Sequence, residues 1–521
     1  MKKFQEIIEW IKKNRNSETK VDVENWNKFW MPVIGFFALI WFLIRVIPKP
    51  SRFRYPCQRA AAPLAMGFLA WLSITLGLSF SINKIIAFIK KSRYWAAAGI
   101  LIITLAAVGT YIGYNIPYPV TARQQGPLGQ GKGIYPGRVA WNYNAAAAVW
   151  DGESDFWWDD TNTNQKVVAK MWQNSLTVLT GEDNPSSAWK ALFTNFNHNN
   201  RNLDRDYQDG ETIAVKLNLN TNKSHQDRDN EVDLSPQMVY VLVESLIEDG
   251  GISPQNIYLY DASRPVADKF YKKVNDKYPR VKFVDTRGGE GRQKVKVDKS
   301  SPVYYTGVER KQVDYLPQSV VKAEYLINLA SLKKHSLAGV TLTAKNHFGS
   351  IYNKNYSSWT PSHLHSYINA GRRRMATPNP LVSLMGHKDL GGKTLLYIID
   401  GLYGGMNQQS VKPNRWSMPP FNGGWSSSIF LSQDPVAIDS VAFDFLRTET
   451  ELMDYTENYL HEAALAGSPA SKAVYDPEKD GNTLRSLGVH EHWNNSKDKL
   501  YGGNNNTEKN GIELIKVHKI K

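Results

Sequence analysis

The middle of the chain alternates between short apolar runs and longer amphipathic segments. Residues 212–220 (TIAVKLNLN) are rich in apolar and β-branched residues, which is typical of a strand. Residues 235–251 follow, where Ser235 is a good N-cap, Pro236 fits the first turn and the apolar positions trace one helical face. Residues 256–263 (NIYLYDAS) then predict a second strand. A strand–helix–strand order of this kind predicts two parallel strands.

The same alternation continues further along the chain. Apolar runs predict strands at residues 281–286, 323–330, 340–344 and 394–400, and the segment SQDPVAIDSVAFDFLRTE predicts a helix. We therefore predict an α/β domain with a mostly parallel sheet and helices on both faces. Its predicted bounds are 136–464, followed by a polar C-terminal extension over 465–521.

The first quarter of the chain has a different pattern. It holds three long apolar stretches, at 29–47, 63–82 and 94–114, with Trp and Tyr near their ends and Lys or Arg between them. Each is close to the ~20 residues that cross a hydrocarbon core. We predict three transmembrane helices within 29–115, after an N-terminal segment (1–28) and before a Pro- and Gly-rich linker (116–135). The alternative is a set of buried helices in a soluble bundle.

The distribution of charge along the chain bears on which partners the protein binds. The formal net charge is +14, but residues 1–120 hold 16 basic and 5 acidic residues, while the rest holds 47 and 44. The nearly balanced remainder gives no support to a nucleic-acid partner. The distribution of Lys and Arg around the apolar stretches favours a cytoplasmic N-terminus. We therefore expect a bacterial inner-membrane protein with a periplasmic C-terminal domain, in contact with the membrane and with an envelope protein complex.

The number and position of cysteines limit which cofactors the predicted α/β domain can bind. Cys57 is the only cysteine of the chain, and it precedes the predicted α/β domain. This excludes an internal disulfide framework, a cysteine-ligated zinc site and an iron–sulfur cluster in that domain. A divalent metal held by other side chains stays open.

Polar residues occur where the predicted strands end. In an open parallel sheet the carboxyl ends of the strands share one edge, and ligands bind there. We expect a polar cleft at that edge, with imidazoles as general bases, lysines that stabilise an anion and carboxylates that bind a divalent metal. Catalytic roles are assigned to His335, Lys345, His347 and Lys216, substrate binding to Asn218, Asn220, Lys333 and Asn346, and metal binding to Asp261, Asp400 and Asp434.

Several of these residues have a simpler interpretation. A polar residue after a strand can be the start of a loop, which applies to Asp261 and Asp400. Asp434 precedes Pro435, so it can be a helix N-cap instead of a metal ligand. Asp439 lies among apolar neighbours in the predicted helix, and a buried carboxylate needs a partner. His363 and His365 are weak evidence for a metal site because they lie in a loop.

The order of several segments resembles the domain-of-unknown-function family 362. These segments are AVKLNLN, VLVESLIEDGG, IYLYDAS, YLINLASLKKHSLAGVTLTAKNHFGSI, YIIDGLYGG and DPVAIDSVA, and they span roughly 210–450. The family pattern of Lys-x-His after a strand and Lys-Asn before a glycine matches Lys333, His335, Lys345, Asn346 and Gly349, and its later acidic segments match Asp400, Asp434 and Asp439. The resemblance implies no defined activity. Cysteine-rich inserts found in many relatives are missing from this chain.

Two functions follow as hypotheses. The first is an enzyme that carries out metal-assisted hydrolysis or group transfer on an anionic small molecule of the envelope. The second is a non-catalytic binding or scaffold subunit of an envelope membrane complex. The 16 Trp and 26 Tyr residues support the second, because both types favour interfaces.

Overall fold

The computed structural model describes residues 126–308, 313–354, 357–359, 362–407, 412–505 and 510–517, with a few helical residues between 36 and 44. The chain divides into two compact units, Met1–Arg123 and Gln124–Lys521. The three predicted transmembrane helices lie almost wholly outside the described residues. Among those that are described, we find no helix with both the length and the apolar character needed to cross a bilayer.

The second unit contains fifteen strands among its described residues. In chain order they are β1 (Leu128–Gly129), β2 (Arg138–Tyr143), β3 (Ile213–Leu217), β4 (Ile257–Asp261), β5 (Lys282–Asp285), β6 (Arg292–Lys294), β7 (Val297–Tyr304), β8 (Val313–Pro317), β9 (Tyr325–His335), β10 (Gly339–Thr341), β11 (Tyr352–Asn353), β12 (Thr394–Gly405), β13 (Ser428–Ser432), β14 (Val489–His490) and β15 (Glu513–Val517).

The α-helices lie between these strands. In chain order they are α1 (Gln165–Thr180), α2 (Pro185–Phe196), α3 (Pro236–Glu248), α4 (Asp268–Asn275), α5 (Gln318–Val321), α6 (Thr343–Asn346), α7 (Pro380–Gly386), α8 (Pro435–Glu449), α9 (Asn458–Ala464) and α10 (Gly502–Asn505). Single 3-10 or π turns occur at Ala145–Ala147, Asn197–Arg201, Pro254–Asn256, His347–Ser350, Ser362–Tyr367 and Gly391–Lys393.

Ten strands form the central sheet, in the order β15–β2–β13–β12–β9–β3–β4–β5–β6, with β10 paired to β9. All neighbours from β12 to β6 are parallel. β13 runs antiparallel to β12 and β2, and β10 runs antiparallel to β9. The sheet is therefore mixed and mostly parallel. Two small antiparallel sheets, β11–β8–β7 and β1–β14, complete the unit.

Helices cover both faces of the central sheet. On β3, Ile213, Val215 and Leu217 join a core shared with α1 to α4, while Ala214 joins the core shared with α7, α8 and α9. Successive side chains of a strand point to opposite faces, so a strand buried on both sides is apolar throughout. Burial of each large apolar side chain contributes about 1.5–3 kcal/mol. The predicted α/β class is confirmed.

The helix α3 shows why its sequence forms a helix. The Ser235 side chain accepts a hydrogen bond from the backbone N–H of Met238, and Pro236 occupies the first turn. The helix ends at Glu248, shortly before Gly251, whose φ of 69° lies in the left-handed region. The predicted unit of strand, helix and strand, now β3, α3 and β4, is confirmed.

The predicted strand 340–344 is a different structure. The chain turns after His335 and returns as β10, which is only three residues long and antiparallel to β9. The residues that follow enter α6, so Lys345 and Asn346 lie in a helical turn. A short apolar run fits a strand or a buried helix equally well, and here tertiary contacts decide for the helix.

The polar C-terminal segment contributes to the central sheet. β15 pairs in parallel with β2 at one edge, and β14 pairs with β1. Residues from 465 onward therefore belong to the same compact unit as the strands before them.

Candidate functional site

The site lies where the order of the parallel strands reverses. From β3 the chain proceeds outward through β4, β5 and β6, and β9 then pairs with the opposite side of β3. In open α/β sheets, ligands bind beyond the carboxyl ends of the strands at such a reversal. A cavity of about 250 Å³ lies there. Seven residues that the sequence predicted line it: Lys216, Asn218, Asn220, Asp261, His335, Lys345 and Asn346.

A buried ion pair forms the floor of the cavity. The Nζ of Lys216 on β3 lies 3.0 Å from Oδ2 of Asp261, at the end of β4. Asp261 also accepts hydrogen bonds from the backbone and hydroxyl of Ser263. Burial lowers the pKa of Lys216, while the adjacent Asp261 carboxylate opposes this shift. Both side chains are almost completely buried, so the pair needs the further hydrogen bonds that it makes.

Asn346 joins the helix α6 to the strands beneath it. Its Oδ1 accepts a hydrogen bond from Lys216 Nζ at 3.1 Å. Its Nδ2 donates to Oδ1 of Asn328 at 2.8 Å and to the backbone oxygen of Leu329 at 3.0 Å. Both the donor and the acceptor groups of the amide are thus occupied, and Asn346 is a positioning residue.

Lys345 has an amine that faces the cavity without a polar partner. It lines the cavity, and its Nζ lies 3.9 Å from the centre of the Phe348 ring. In the part of the chain that the structure describes, it makes neither a hydrogen bond nor an ion pair. Burial, together with the positive charges of Lys216 and Arg264, lowers the pKa of Lys345 to about 7.

His335 is held in one tautomer. Its Nδ1 accepts hydrogen bonds from the backbone N–H groups of Leu337 and Ala338, both at 3.1 Å. The proton of the neutral ring therefore sits on Nε2. Burial and the Lys345 charge lower the pKa of His335 to about 2. At neutral pH this imidazole offers a donor and no basic nitrogen, so the geometry does not favour the predicted role of general base.

Two further predicted residues lie outside the cavity lining. His347 is fully buried, and its Nε2 accepts a hydrogen bond from Nδ2 of Asn328 at 3.1 Å. Burial lowers the pKa of His347 to about 3. Lys333 is also fully buried, and its Nζ donates to the backbone oxygen of Val232 and lies 3.6 Å from Asp233. Lys333 therefore supports the loop that contains Val232, and His347 is held against strand β9.

The three predicted metal ligands are not brought together. Asp261 pairs with Lys216, whereas Asp400 accepts hydrogen bonds from the backbone and hydroxyl of Ser235, both at 2.7 Å. The Asp434 carboxylate caps α8 through the N–H groups of Val436 and Ala437, which confirms the capping alternative. Among the described residues, no group of three His, Cys, Asp or Glu side chains is placed to share a metal ion.

Asp439 positions the helix that carries Lys345. Its carboxylate accepts hydrogen bonds from the N–H groups of Thr343 and Ala344, from the Thr343 hydroxyl and from the Tyr459 hydroxyl. Burial raises the pKa of Asp439 to about 6. The expected partner of this buried carboxylate is therefore the start of α6, and helix N-termini favour a carboxylate.

One family model matches the part of the chain that runs from β3 through most of α8. Residues 213–444 match the DUF362 family model. DUF362 is described as a domain of unknown function. The match confirms the predicted resemblance, and the DUF362 region contains every residue that lines the cavity. No curated protein matches the chain.

Some cavity residues of the DUF362 region were not predicted. Arg264 is exposed at the cavity and, among described residues, has no acidic partner. Thr341 has a buried hydroxyl without a hydrogen bond. Asn218, which the sequence did predict, has a buried Oδ1 without one. His365 stacks near His335, with ring centres 6.2 Å apart. The position of Arg264, three residues after the predicted strand end at Asp261, was the sequence feature that could have indicated it.

A second cavity lies at the edge of the sheet where β15 pairs with β2, and most of its lining residues are outside the DUF362 region. Its volume is about 300 Å³, and it is lined by Trp141 and Tyr143 of β2 and by Lys497, Lys499 and Lys516. The Nζ of Lys499 donates to the backbone oxygen of Pro419 at 2.8 Å. No residue predicted for the site lies there.

Proposed function

We propose that the cavity beside β3 and β9 binds a small anionic molecule and that the protein is an enzyme acting on it. The single observation that carries this proposal is the position of the cavity at the strand reversal, with Lys345 and Arg264 on its lining. The volume, about 250 Å³, lies below the range of about 300–1,000 Å³ that suits drug-sized ligands. The ligand is therefore a small metabolite.

The charges of the cavity support an anion. Lys216 is paired with Asp261, so this pair is nearly neutral. Lys345 and Arg264 have no carboxylate partner among the residues that the structure describes, and they leave the cavity positive. Lys345 is partly buried, and a desolvated cation attracts a carboxylate or phosphate more strongly than a surface cation such as Arg264 does. The planar guanidinium of Arg264 adds a bidentate donor for such a group.

The chemistry of the cavity supports catalysis in addition to binding. With a pKa of about 7, Lys345 exchanges a proton at neutral pH, as a general acid or base must. His335 supplies a neutral Nε2–H donor for an oxygen atom of the ligand. Of the three predicted metal ligands, only Asp261 lines the cavity, so the proposal uses the chain's own amine and imidazole.

Calorimetry with inorganic phosphate and small carboxylates tests the proposal. We expect binding that weakens about tenfold or more in Lys345→Met and in Arg264→Gln, since each loses a charge-assisted contact. Arg280→Gln is the matched control, because Arg280 is exposed and precedes β5 at the opposite end of the strands. Equal affinity in all variants contradicts the proposal. Absence of binding together with a co-purifying membrane protein favours the scaffold function.

We also propose that residues 29–115 anchor the protein in a bacterial inner membrane, with the second unit in the periplasm. The support is the three apolar stretches of the sequence and the basic residues around them. Labelling of a cysteine introduced at Ser496, in a chain whose Cys57 is replaced by serine, tests the orientation in intact cells. An impermeant reagent should react with it. Reaction only after lysis contradicts a periplasmic location.

A further inference from the structure

Resting on the proposed anion-binding function, we infer that Lys345 is a nucleophile that forms an imine with the carbonyl carbon of a small 2-oxo acid. The cavity brings together one amine without a polar partner, one fixed hydrogen-bond donor and one guanidinium. Each of these groups matches one part of a 2-oxo acid: the carbonyl carbon, the carbonyl oxygen and the carboxylate.

The surroundings of Lys345 suit a nucleophilic amine. Its Nζ contacts the Phe348 ring, and no hydrogen-bond acceptor among the described residues holds it as an ammonium. Lys216 adds a second positive charge nearby, and burial acts in the same direction on the pKa of Lys345. Lysines that are desolvated or lie next to another cation are the ones that form Schiff bases with carbonyl substrates.

Lys216 itself is not the nucleophile. Its Nζ is already engaged by Asp261 at 3.0 Å and by Asn346 at 3.1 Å. As an ammonium ion held by a carboxylate and an amide oxygen, Lys216 has no lone pair to offer. The two lysines therefore have separate roles: Lys216 supplies the charge and Lys345 the reacting atom.

The reaction balances without a further reagent. The Lys345 amine adds to the carbonyl carbon, the carbon–oxygen π bond breaks, and a proton moves from nitrogen to oxygen to give a carbinolamine. The nitrogen lone pair then expels this hydroxyl with one proton from solvent, so that water leaves and a protonated imine remains. No oxidation or reduction occurs. The product is an electron sink for a later step at the neighbouring carbon.

His335 and Arg264 orient the substrate for this addition. The tautomer of His335 presents Nε2–H as a donor that suits the carbonyl oxygen, where negative charge develops during attack. The guanidinium of Arg264 suits the carboxylate. Because Lys345 must be neutral to attack, Arg264 remains as the unpaired cation for the substrate.

Reductive trapping tests the inference on the full chain. Purified protein is incubated with pyruvate and borohydride, and the modified peptide is located by mass spectrometry. We expect a reduced pyruvate adduct on Lys345, and its loss in Lys345→Arg, which keeps the charge. Lys499 is an internal control, because burial lowers the pKa of Lys499 to about 8 outside this cavity. Lack of an adduct, or equal labelling of Lys499, overturns the inference.

Lactate separates the inference from the proposed function. It has the carboxylate of pyruvate but no carbonyl group, so its affinity measured by calorimetry reports anion binding alone. If lactate binds and pyruvate leaves no adduct, the inference fails while the proposed function stands. If neither binds at the cavity, both fail. Trapping at Lys345 should also fall about tenfold per pH unit below about pH 7, as the amine becomes protonated.

Discussion

Gly349 lies against the ion pair of the cavity, so closely that a β-carbon at this position would stand 2.5 Å from Nζ of Lys216. The same β-carbon would lie 3.0 Å from Oδ1 of Asp261. No side chain fits there unless Lys216 moves. Its buried position and its hydrogen bonds to Asp261 and Asn346 oppose such a movement. The glycine of the AKNHFG segment is therefore required by a close approach.

Gly349→Ala should weaken the site. We expect a loss of about 1–3 kcal/mol in the free energy of unfolding, since overpacking of a dense core costs this much. Anion affinity measured by calorimetry should fall in parallel, because Lys216 and Asp261 are displaced. Gly467→Ala is the control, since a β-carbon there meets nothing closer than 3.5 Å. Equal effects of the two substitutions would refute the close-contact argument.

Two substitutions of His335 should separate the roles of its two ring nitrogens. Asparagine places an acceptor near the position of Nδ1, so His335→Asn should keep the hydrogen bonds from Leu337 and Ala338 and retain the stability. It removes the Nε2–H donor, and ligand affinity should fall about tenfold. Glutamine reaches the Nε2 position instead, so His335→Gln should lose about 1–3 kcal/mol of stability and less affinity.

The measurements are urea unfolding and calorimetry on the same protein samples. In Lys345→Met, which lacks the amine that titrates near pH 7, an affinity that changes between pH 5 and pH 8 in step with an imidazole titration would contradict the assigned state of His335. Its pKa of about 2 keeps it neutral over that whole range.

The lowered pKa of Lys345 should appear in the pH dependence of stability. The pKa is about 7 in the folded protein, against an ordinary value of 10.5. Between these values the unfolded chain binds more protons, so the wild-type free energy of unfolding should rise with pH relative to Lys345→Met. Below about pH 7 both states carry the proton and the difference is constant. Urea unfolding across this range checks the sign, and a pH-independent difference would contradict it.

Asp439 should influence the cavity through α6. Asp439→Asn replaces one acceptor oxygen by a donor, facing the N–H groups of Thr343 and Ala344. We expect about 1–3 kcal/mol of lost stability and a weaker ligand affinity, because Lys345 shifts with its helix. Tyr459→Phe should act in the same direction but less strongly, since it removes one of the four hydrogen bonds.

Asp434→Asn is the matched control for Asp439→Asn. Asp434 is also fully buried, lies at the start of α8 and accepts hydrogen bonds from backbone N–H groups. The hydrogen-bond partners of its carboxylate are Lys132, Val436, Ala437 and Val489, none of which lies in α6. Its substitution should lower stability while the affinity of the folded protein stays at the wild-type level. A loss of affinity in this control would show that general destabilisation, and not the position of α6, affects the site.

The local sequence pattern was sufficient to predict much of the cavity lining. The alternation at Lys216, Asn218 and Asn220 and the strand end at Asp261 predicted four lining residues at the ends of two adjacent strands, although β3 itself ends at Leu217, before Asn218 and Asn220. A strand's side-chain period and the parallel β–α–β connection need only nearby residues, so they can be read along the chain. Arg264 was missed because, although it follows a predicted strand end, a basic residue in a loop is equally consistent with an ordinary surface charge.

The pairing of strands that are far apart in the chain could not be predicted in the same way. The strands β2, β13 and β15 are far apart in the chain, yet they are consecutive in the sheet. The chain order of strands does not state their spatial order, and a five-residue strand such as β15, within an otherwise polar segment, has little local signature. For the same reason the segment after residue 465 was assigned to an extension.

The sequence by itself determined the α/β class, the unit β3–α3–β4 and the supply of lysine, amide, imidazole and carboxylate groups near strand ends, because periodicity and capping act over a few residues. Only the tertiary structure decided which of these groups share a space. Asp400 and Asp434 accept hydrogen bonds from backbone N–H groups, and Lys333 donates to a loop carbonyl. His347 is held against β9, and Lys345 reaches the cavity from a helix. A side chain's role depends on the partners that folding brings to it, and those partners come from distant parts of the chain.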